Sequence, residues 1–353
     1  MASAGQNASA SWENPFGPSV LSTRWKSSRF SGTRQAVTIT APLVHIGYPK
    51  CLSTWLQQCL FLPEFGFINP LNAFDIQLGL VSPNPLDFEP GDFCETFSQR
   101  CHQAAGDRSL MPVCSSENLV GALSHGGYNA KYNADKLQAC FPQARILMVI
   151  REQRSMLRSL YRTLVAWGNP YPIKKLLNSP PHWRHIAPSF QLEALEYDRL
   201  IRYYQQRFGA ESVKVLCFEQ FQLDPRRFAA DVFRFCALPA DEQQLAALPL
   251  QQRLNPGSSL FGIEKKRLGN RLYRSIYNSN GLLEETEERQ FQRMAAFRAR
   301  QDGWLDRKLG PAMERRFRHH MEALPQGQFE ASNTRTQALV DADLEALGYQ
   351  LGG

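Results

Sequence analysis

The sequence predicts an α/β fold: a three-layer, doubly wound parallel sheet flanked by helices, with a helical C-terminal portion. Two observations carry this. Four short runs are almost wholly apolar, as strands covered on both faces must be. Helical patterns separate those runs, the alternation that builds parallel sheets. At 353 residues, 43% hydrophobic and 21% charged, the chain is long enough to bury a core without staples.

The first run is Leu43 to Gly47 (LVHIG). A polar turn follows, then Trp55, Leu56, Cys59 and Leu60 at helical spacing, so the segment reads strand, loop, helix. Leu110 to Cys114 is the second run, with Pro112 arguing for imperfect pairing. Arg145 to Ile150 is the clearest strand; Met156, Leu157, Leu160, Tyr161 and Leu164 then mark one helix face. A helix carrying Leu192, Leu195, Leu200, Ile201 and Tyr204 leads to the fourth strand, Val213 to Phe218. Another helix follows Asp224–Pro225, and beyond Pro256 the chain reads as helical and strand-poor. The expected organisation is a disordered lead-in over 1–38, with Trp12 and Phe16 as candidate tethers. A single domain over 39–353 follows, with its core in 43–240 and a helical part in 250–353. Asn69 to Gly91, rich in Pro and Asn, is expected to be a surface excursion.

Eight cysteines without a CxxC pair, several inside apolar runs, suit a reducing compartment, and a cytoplasmic location is expected. The lead-in has no secretory pattern, although its basic, Ser-rich composition leaves a transit peptide open. No apolar run reaches the length of a membrane span. His182 with His185, and the His319–His320 pair, lack further ligands at zinc spacing, so no metal is expected. The net charge is +7. Arg253 to His320 holds fifteen Lys/Arg against eight Asp/Glu, so the whole excess falls there. Such a stretch either attracts an anionic ligand or forms a solvated helix face.

In α/β sheets ligands bind beyond the carboxyl ends of the strands. After the first strand comes Gly47-Tyr-Pro-Lys-Cys-Leu-Ser-Thr-Trp55. Free backbone amides at the turn, the Lys50 charge and the Ser53 and Thr54 hydroxyls have the chemistry of an anion cradle. The alternative is that Ser53 or Thr54 simply caps the helix. It is not a Walker loop, which needs a second Gly before its Lys. After the third strand Arg151 stands at the carboxyl end, with Ser155, Ser159 and Arg162 on the polar side of the next helix. A guanidinium there can grip a phosphate bidentately.

In order, these two segments resemble the sulfotransferases that use 3′-phosphoadenosine 5′-phosphosulfate (PAPS). That family's 5′ loop reads YPKSGTTW, against Tyr48-Pro-Lys-Cys-Leu-Ser-Thr-Trp55 here. Its 3′-phosphate motif is a strand ending in Arg with Ser eight residues on, matched by Arg145 to Tyr161. Phe208 to Pro225 resembles the family's fourth-strand region, and Leu347-Gly-Tyr349 its usual ending. The likeness runs from Leu43 to Leu238 plus that tail. It implies a fold like that of P-loop nucleotide kinases and transfer of a sulfuryl group to a hydroxyl or amine. The acceptor would be a carbohydrate, a lipid or a small-molecule natural product, and the nucleotide product adenosine 3′,5′-bisphosphate.

The resemblance also implies roles. Lys50, Cys51, Leu52, Ser53 and Thr54 would hold the phosphosulfate, with Lys50 also neutralising the leaving group. Trp55 would pack against the adenine, Arg151 and Ser159 would hold the 3′-phosphate, and Phe218 stands where the family has an adenine-side Tyr. The family's base follows the second strand, which points to Glu117, with His125 as competitor. His45, inside an apolar run, reads as a core residue. Two departures stand out. Cys51-Leu52 replaces Ser-Gly, which removes conformational freedom from the loop. The late Arg-Lys-Gly motif has no counterpart, and Arg253 or the cluster at Lys265 would have to substitute. Asn69 to Gly91 and Trp167 to Ser189, with Trp167, Tyr171 and Trp183, would line the acceptor pocket. Nucleic acid is not an expected partner, and a homodimer is compatible with the sequence. Two other readings remain at this point: a P-loop small-molecule kinase, and a non-catalytic homologue that binds anions or nucleic acid through the basic stretch.

Overall fold

The computed structural model describes residues 39, 41–177, 190–250, 259–275, 277–299, 303–322, 324 and 327–352. The lead-in, with Trp12 and Phe16, lies outside the described residues, as do His182, Trp183, His185 and Arg253.

Five parallel strands form one sheet: β1 (Leu43–His45), β2 (Phe67–Ile68), β3 (Met111–Ser115), β4 (Arg145–Ile150) and β5 (Val213–Cys217), in the order β2-β3-β1-β4-β5. Ile146 to Ile150 are fully buried, as a central strand covered on both faces requires. β1 is short, yet its backbone stays paired beyond its end. The Ile46 and Tyr48 amides donate to the Leu147 and Val149 carbonyls, at 3.0 and 3.3 Å. The loop after β1 therefore leaves level with the end of β4.

Pro112 is accommodated by position. The Met111 amide donates to Gly66 O on the β2 side. Alternation then points the missing Pro112 donor toward β1, whose pairing begins only at Leu43↔Val113. The absent N–H thus leaves no ladder bond unmade. β2, two residues long, is an edge strand that the periodicity did not reveal.

Parallel connections cross over right-handedly. The steps β2→β3, β3→β4 and β4→β5 run one way along the sheet and β1→β2 the other. Accordingly Pro90–Ala105 packs on Ala130–Cys140, which packs on Tyr197–Phe208. Leu260–Asn270 lies against Gln153–Ala166 and Trp304–Glu322. The predicted helix over 192–204 is broken: a 3₁₀ turn, Leu192–Leu195, precedes Tyr197–Phe208. The stretch 69–91 is more than a surface excursion, because Leu71, Ile76 and Leu80 are buried.

Aromatic residues fill the core, with Phe61 on Phe67 and Phe93 and Phe97 on Phe141. Each such side chain contributes about 1.5–3 kcal/mol by burial. The C-terminal region is tied down by polar contacts. Asp198 accepts from Ser332 Oγ (2.5 Å) and Arg335 Nε (2.6 Å), and Gln153 Nε2 donates to Asn333 Oδ1 (2.5 Å). Several charges of the basic stretch are paired: Arg267 with Glu264, Arg293 with Glu285, and Glu314 with Arg158 and Arg162. All eight cysteines are free and buried. Among the described residues no helix is long and apolar enough to cross a membrane.

Candidate active site

The strand order reverses between β1 and β4. β1 leads away toward β2 and β3, while β4 leads toward β5. The crevice at such a switch point is where open α/β sheets bind ligands. Two loops face it, one after β1 and one after β4.

In the first loop the Cys51 amide donates to Tyr48 O at 3.1 Å, closing a tight turn. Lys50 and Leu52 both adopt left-handed backbone, with φ 65° and 71°. Left-handed residues of this kind turn successive amides to one side, the geometry of an anion nest. Leu52 occupies the position the motif gives to Gly and keeps glycine's conformation, at a cost of about 1–2 kcal/mol. Buried neighbours hold it there: Cys51, Ser53 and Trp55 are 0%, 3% and 3% exposed. Lys50 and Thr54 are half-buried. Ser53 Oγ is buried without a hydrogen-bond partner among the described residues. An orphaned hydroxyl beside a nest and a lysine fits an anion-binding loop. Trp55 faces inward: its Nε1 donates to Pro249 O at 3.2 Å and its ring packs on Phe221.

The second loop is built around Arg151. Its Nη1 donates to Lys50 O at 3.2 Å, its Nε to Ser155 Oγ at 2.8 Å, and its guanidinium lies 4.4 Å from the centre of the Phe218 ring. Tyr197 hydroxyl donates to Arg151 O at 2.6 Å while its ring meets Tyr48 edge-on, so one side chain grips both loops. Glu152 caps Gln153–Ala166, accepting from the Arg154 and Ser155 amides at 2.9 and 2.8 Å. Glu219 lies beneath, accepting from the Glu152 amide (3.1 Å) and Tyr349 hydroxyl (3.2 Å). Burial raises the Glu219 carboxyl above its usual range, and these donors and Arg151 oppose the shift. Burial also pushes the Cys51 thiol well up. Arg151 opposes that change, while Glu219 and Glu117 add to it. Charges from three strand ends thus converge on one loop.

The structure brings Lys50, Cys51, Leu52, Ser53, Thr54, Arg151, Phe218 and Glu117 to the same end of the sheet. Ser159 is half-buried two turns along the helix from Arg151; Ser155, not Ser159, touches the guanidinium. Glu117 opens the turn Glu117–Val120 after β3. His125 closes the turn Leu123–His125, with Nδ1 3.0 Å from Ser124 Oγ. Leu123, Gly126 and Gly127 beside it line a cleft of about 350 Å³, together with Tyr48, Tyr128, Tyr203 and Arg199. That cleft is walled by residues other than those expected for the acceptor. Lys265 is exposed on Leu260–Asn270, which meets the arginine-bearing helix at Tyr161 (through Glu264, 2.7 Å) and Val165 (through Asn270, 2.8 Å). Tyr161 is ten residues beyond Arg151, about 15 Å along a helix, so these contacts lie well along that helix from the guanidinium. Sequence reasoning did not single out Tyr197 or Glu219, whose sole signal was a place next to a strand or helix end.

Comparison with known proteins matches residues 129–242 to the sulfotransferase family. No curated protein matches the chain. Among solved structures, a sulfotransferase from Alicyclobacillus acidocaldarius is similar at 18% identity over 75% of this chain and 98% of its own, with a TM-score of 0.44. The sulfotransferase domain of the Synechococcus PCC 7002 olefin synthase is 13% identical over 79% and 100%, with a TM-score of 0.36. That of the curacin biosynthetic pathway is 13% identical over 78% and 98%, with a TM-score of 0.34. The family match takes in β4, Arg151, Ser155, Ser159, β5 and Phe218 and stops short of the Lys50 loop. Residues 129–242, about a third of the chain, are thus similar to the sulfotransferase family.

Proposed function

We propose that the protein moves the sulfuryl group of PAPS to a hydroxyl or amine of an acceptor. One observation carries this reading beyond the family match. Arg151 donates to the carbonyl of Lys50, so two anion-binding loops share one crevice and can serve the two ends of one nucleotide. In this reading the loop amides, Lys50, Ser53 and Thr54 hold the 5′-phosphosulfate. Arg151, with Ser159, holds the 3′-phosphate, and Phe218 keeps the guanidinium flat.

The reaction breaks the bond between sulfur and the bridging oxygen and forms one from sulfur to the acceptor oxygen or nitrogen. The leaving adenosine 3′,5′-bisphosphate gains negative charge, which Lys50 stabilises. As in phosphoryl transfer, positioning and electrostatics supply most of the acceleration. The acceptor proton passes to a base. Glu117 is the favoured base because its charge bears on Cys51 in the loop. His125 is the alternative, because its turn borders the cleft that Tyr48 shares. That cleft is the proposed entry for the acceptor.

The test is calorimetry with adenosine 3′,5′-bisphosphate, followed by transfer of labelled sulfate from PAPS to a panel of phenols, sugars and amines. Micromolar binding is expected, with turnover abolished in Glu117→Gln while binding persists. Absence of nucleotide binding in the wild-type protein overturns the function. Full turnover in Glu117→Gln moves the base to His125, which His125→Ala then checks.

A further inference from the structure

A buried polar chain lies under the first loop and has no part in the roles above. His45 ends β1 and is fully buried. Its Nδ1 is 2.8 Å from Ser115 Oγ at the end of β3. Gln57 Nε2 reaches the same hydroxyl at 3.0 Å and the Ser115 carbonyl at 3.1 Å. A carbonyl only accepts, so the Gln57 atom facing it must be the amide nitrogen. That nitrogen only donates, so Ser115 Oγ accepts from Gln57, which leaves its own hydrogen available to His45 Nδ1. Burial lowers the His45 pKa to about 3, so the ring is neutral. A neutral imidazole that accepts at Nδ1 carries its proton on Nε2.

His45 Nε2 is a buried polar atom with no hydrogen-bond partner among the described residues, and Ser53 Oγ is in the same condition. Both flank Gly47. A Cβ there would stand 2.5 Å from His45 Nε2 and 3.4 Å from Ser53 Oγ. The two atoms are therefore separated by no more than the sum of those distances, a span that one water bridges. The same collision explains the glycine: a side chain at position 47 would occupy the space between them.

We propose that Ser115 gives its hydrogen to His45 Nδ1 and that His45 is thereby a positioning residue of the loop: its Nε2–H engages Ser53 Oγ through one buried water, and so keeps the Ser53 and Thr54 amides aimed at the bound anion. The inference rests on reading this loop as the 5′-phosphosulfate cradle. A neutral donor suits the task, because its hydrogen stays in place across the physiological pH range.

The experiment compares adenosine 3′,5′-bisphosphate with adenosine 3′-monophosphate, which lacks the 5′ group, by calorimetry. His45→Leu keeps the volume and removes the donor, whereas His45→Gln restores an N–H near the Nε2 position. His45→Leu is expected to weaken the bisphosphate about tenfold, as for a lost buried hydrogen bond, and to leave the monophosphate unchanged. His45→Gln should recover to within about threefold. Nitrogen-15 NMR of the ligand-free wild type should find the proton on Nε2. If His45→Leu does not fold, Ser115→Ala removes the hydrogen that fixes the tautomer and should reproduce the selective loss. A proton on Nδ1, unchanged bisphosphate affinity, or equal weakening of both ligands overturns the proposal. If the wild type binds neither nucleotide, the sulfotransferase reading fails and this one with it. If it binds both and His45→Leu binds like it, only the role of His45 falls.

Discussion

The two loops of the crevice solve the same problem in opposite ways. The corner at Arg151 is braced by side chains: its guanidinium bonds Lys50 O and Ser155 Oγ and rests on Phe218, with further N–H donors to spare. Its helix is capped by Glu152, and its carbonyl takes the Tyr197 hydroxyl. The loop at Lys50 is built under tension. Two non-glycine residues hold left-handed backbone, and a buried hydroxyl lacks a partner. The family match covers the first and omits the second. The difference teaches that the loop at Lys50 is shaped by backbone conformation, with Leu52 left-handed where a glycine would be at ease, whereas the corner at Arg151 is shaped by side-chain contacts.

This contrast can be broken most forcefully at Arg151. Arg151→Ala should weaken adenosine 3′,5′-bisphosphate roughly 100-fold, the upper range for hydrogen bonds to a charged group. A loss below threefold in calorimetry would make the clamp structural rather than ligand-binding. The next effect is one of pH. His45 has a folded pKa near 3 and an ordinary value of 6.5. Between these the unfolded chain binds a proton that the native one does not, so native stability falls as pH drops. The slope from this group is about 1.4 kcal/mol per pH unit. Denaturant unfolding from pH 7 to 4 should show it, and His45→Gln should flatten the profile. A smaller effect sharpens the view of the strained loop. Leu52→Gly should tighten the bisphosphate a few-fold by relieving about 1 kcal/mol of backbone cost. Lost packing of Leu52 against the core should leave the melting temperature nearly unchanged; unaltered affinity would show that the loop's strain is not felt by its ligand. The smallest is Phe218→Leu, where losing a cation–π contact of about 0.5–1 kcal/mol should weaken binding two- to fivefold. A larger loss would give the ring a direct part in binding.

Much of this was legible before any coordinates. Ile146 to Ile150 is an unbroken apolar run, and Arg145 to Ile150 is β4 to the residue; Arg151 had to stand at its carboxyl end. β2 was not legible, because two residues, Phe67–Ile68, show no period. Motif spacing assigns Ser159 to the bound phosphate; the contact of Ser155, four residues on, with the guanidinium itself has no counterpart in that motif. Trp55 read as a ligand-facing ring, yet its indole is enclosed by Phe221 and Pro249, the latter 194 residues away. Tyr197 and Glu219 escaped notice for the same reason: partners 46 and 67 residues distant leave no local pattern. The basic stretch beyond Arg253 suggested an anion surface; within it Arg267 and Arg293 answer Glu264 and Glu285, while Glu314 answers Arg158 and Arg162 on another helix.

The hydroxyl of Tyr349 rests on Glu219, 130 residues upstream. Ribosomes add about 5–20 residues per second, so the acid emerges on the order of ten seconds before its partner is made. During that interval the Glu219 carboxylate lacks this donor, and the contact can close only after the C-terminal residues have been made.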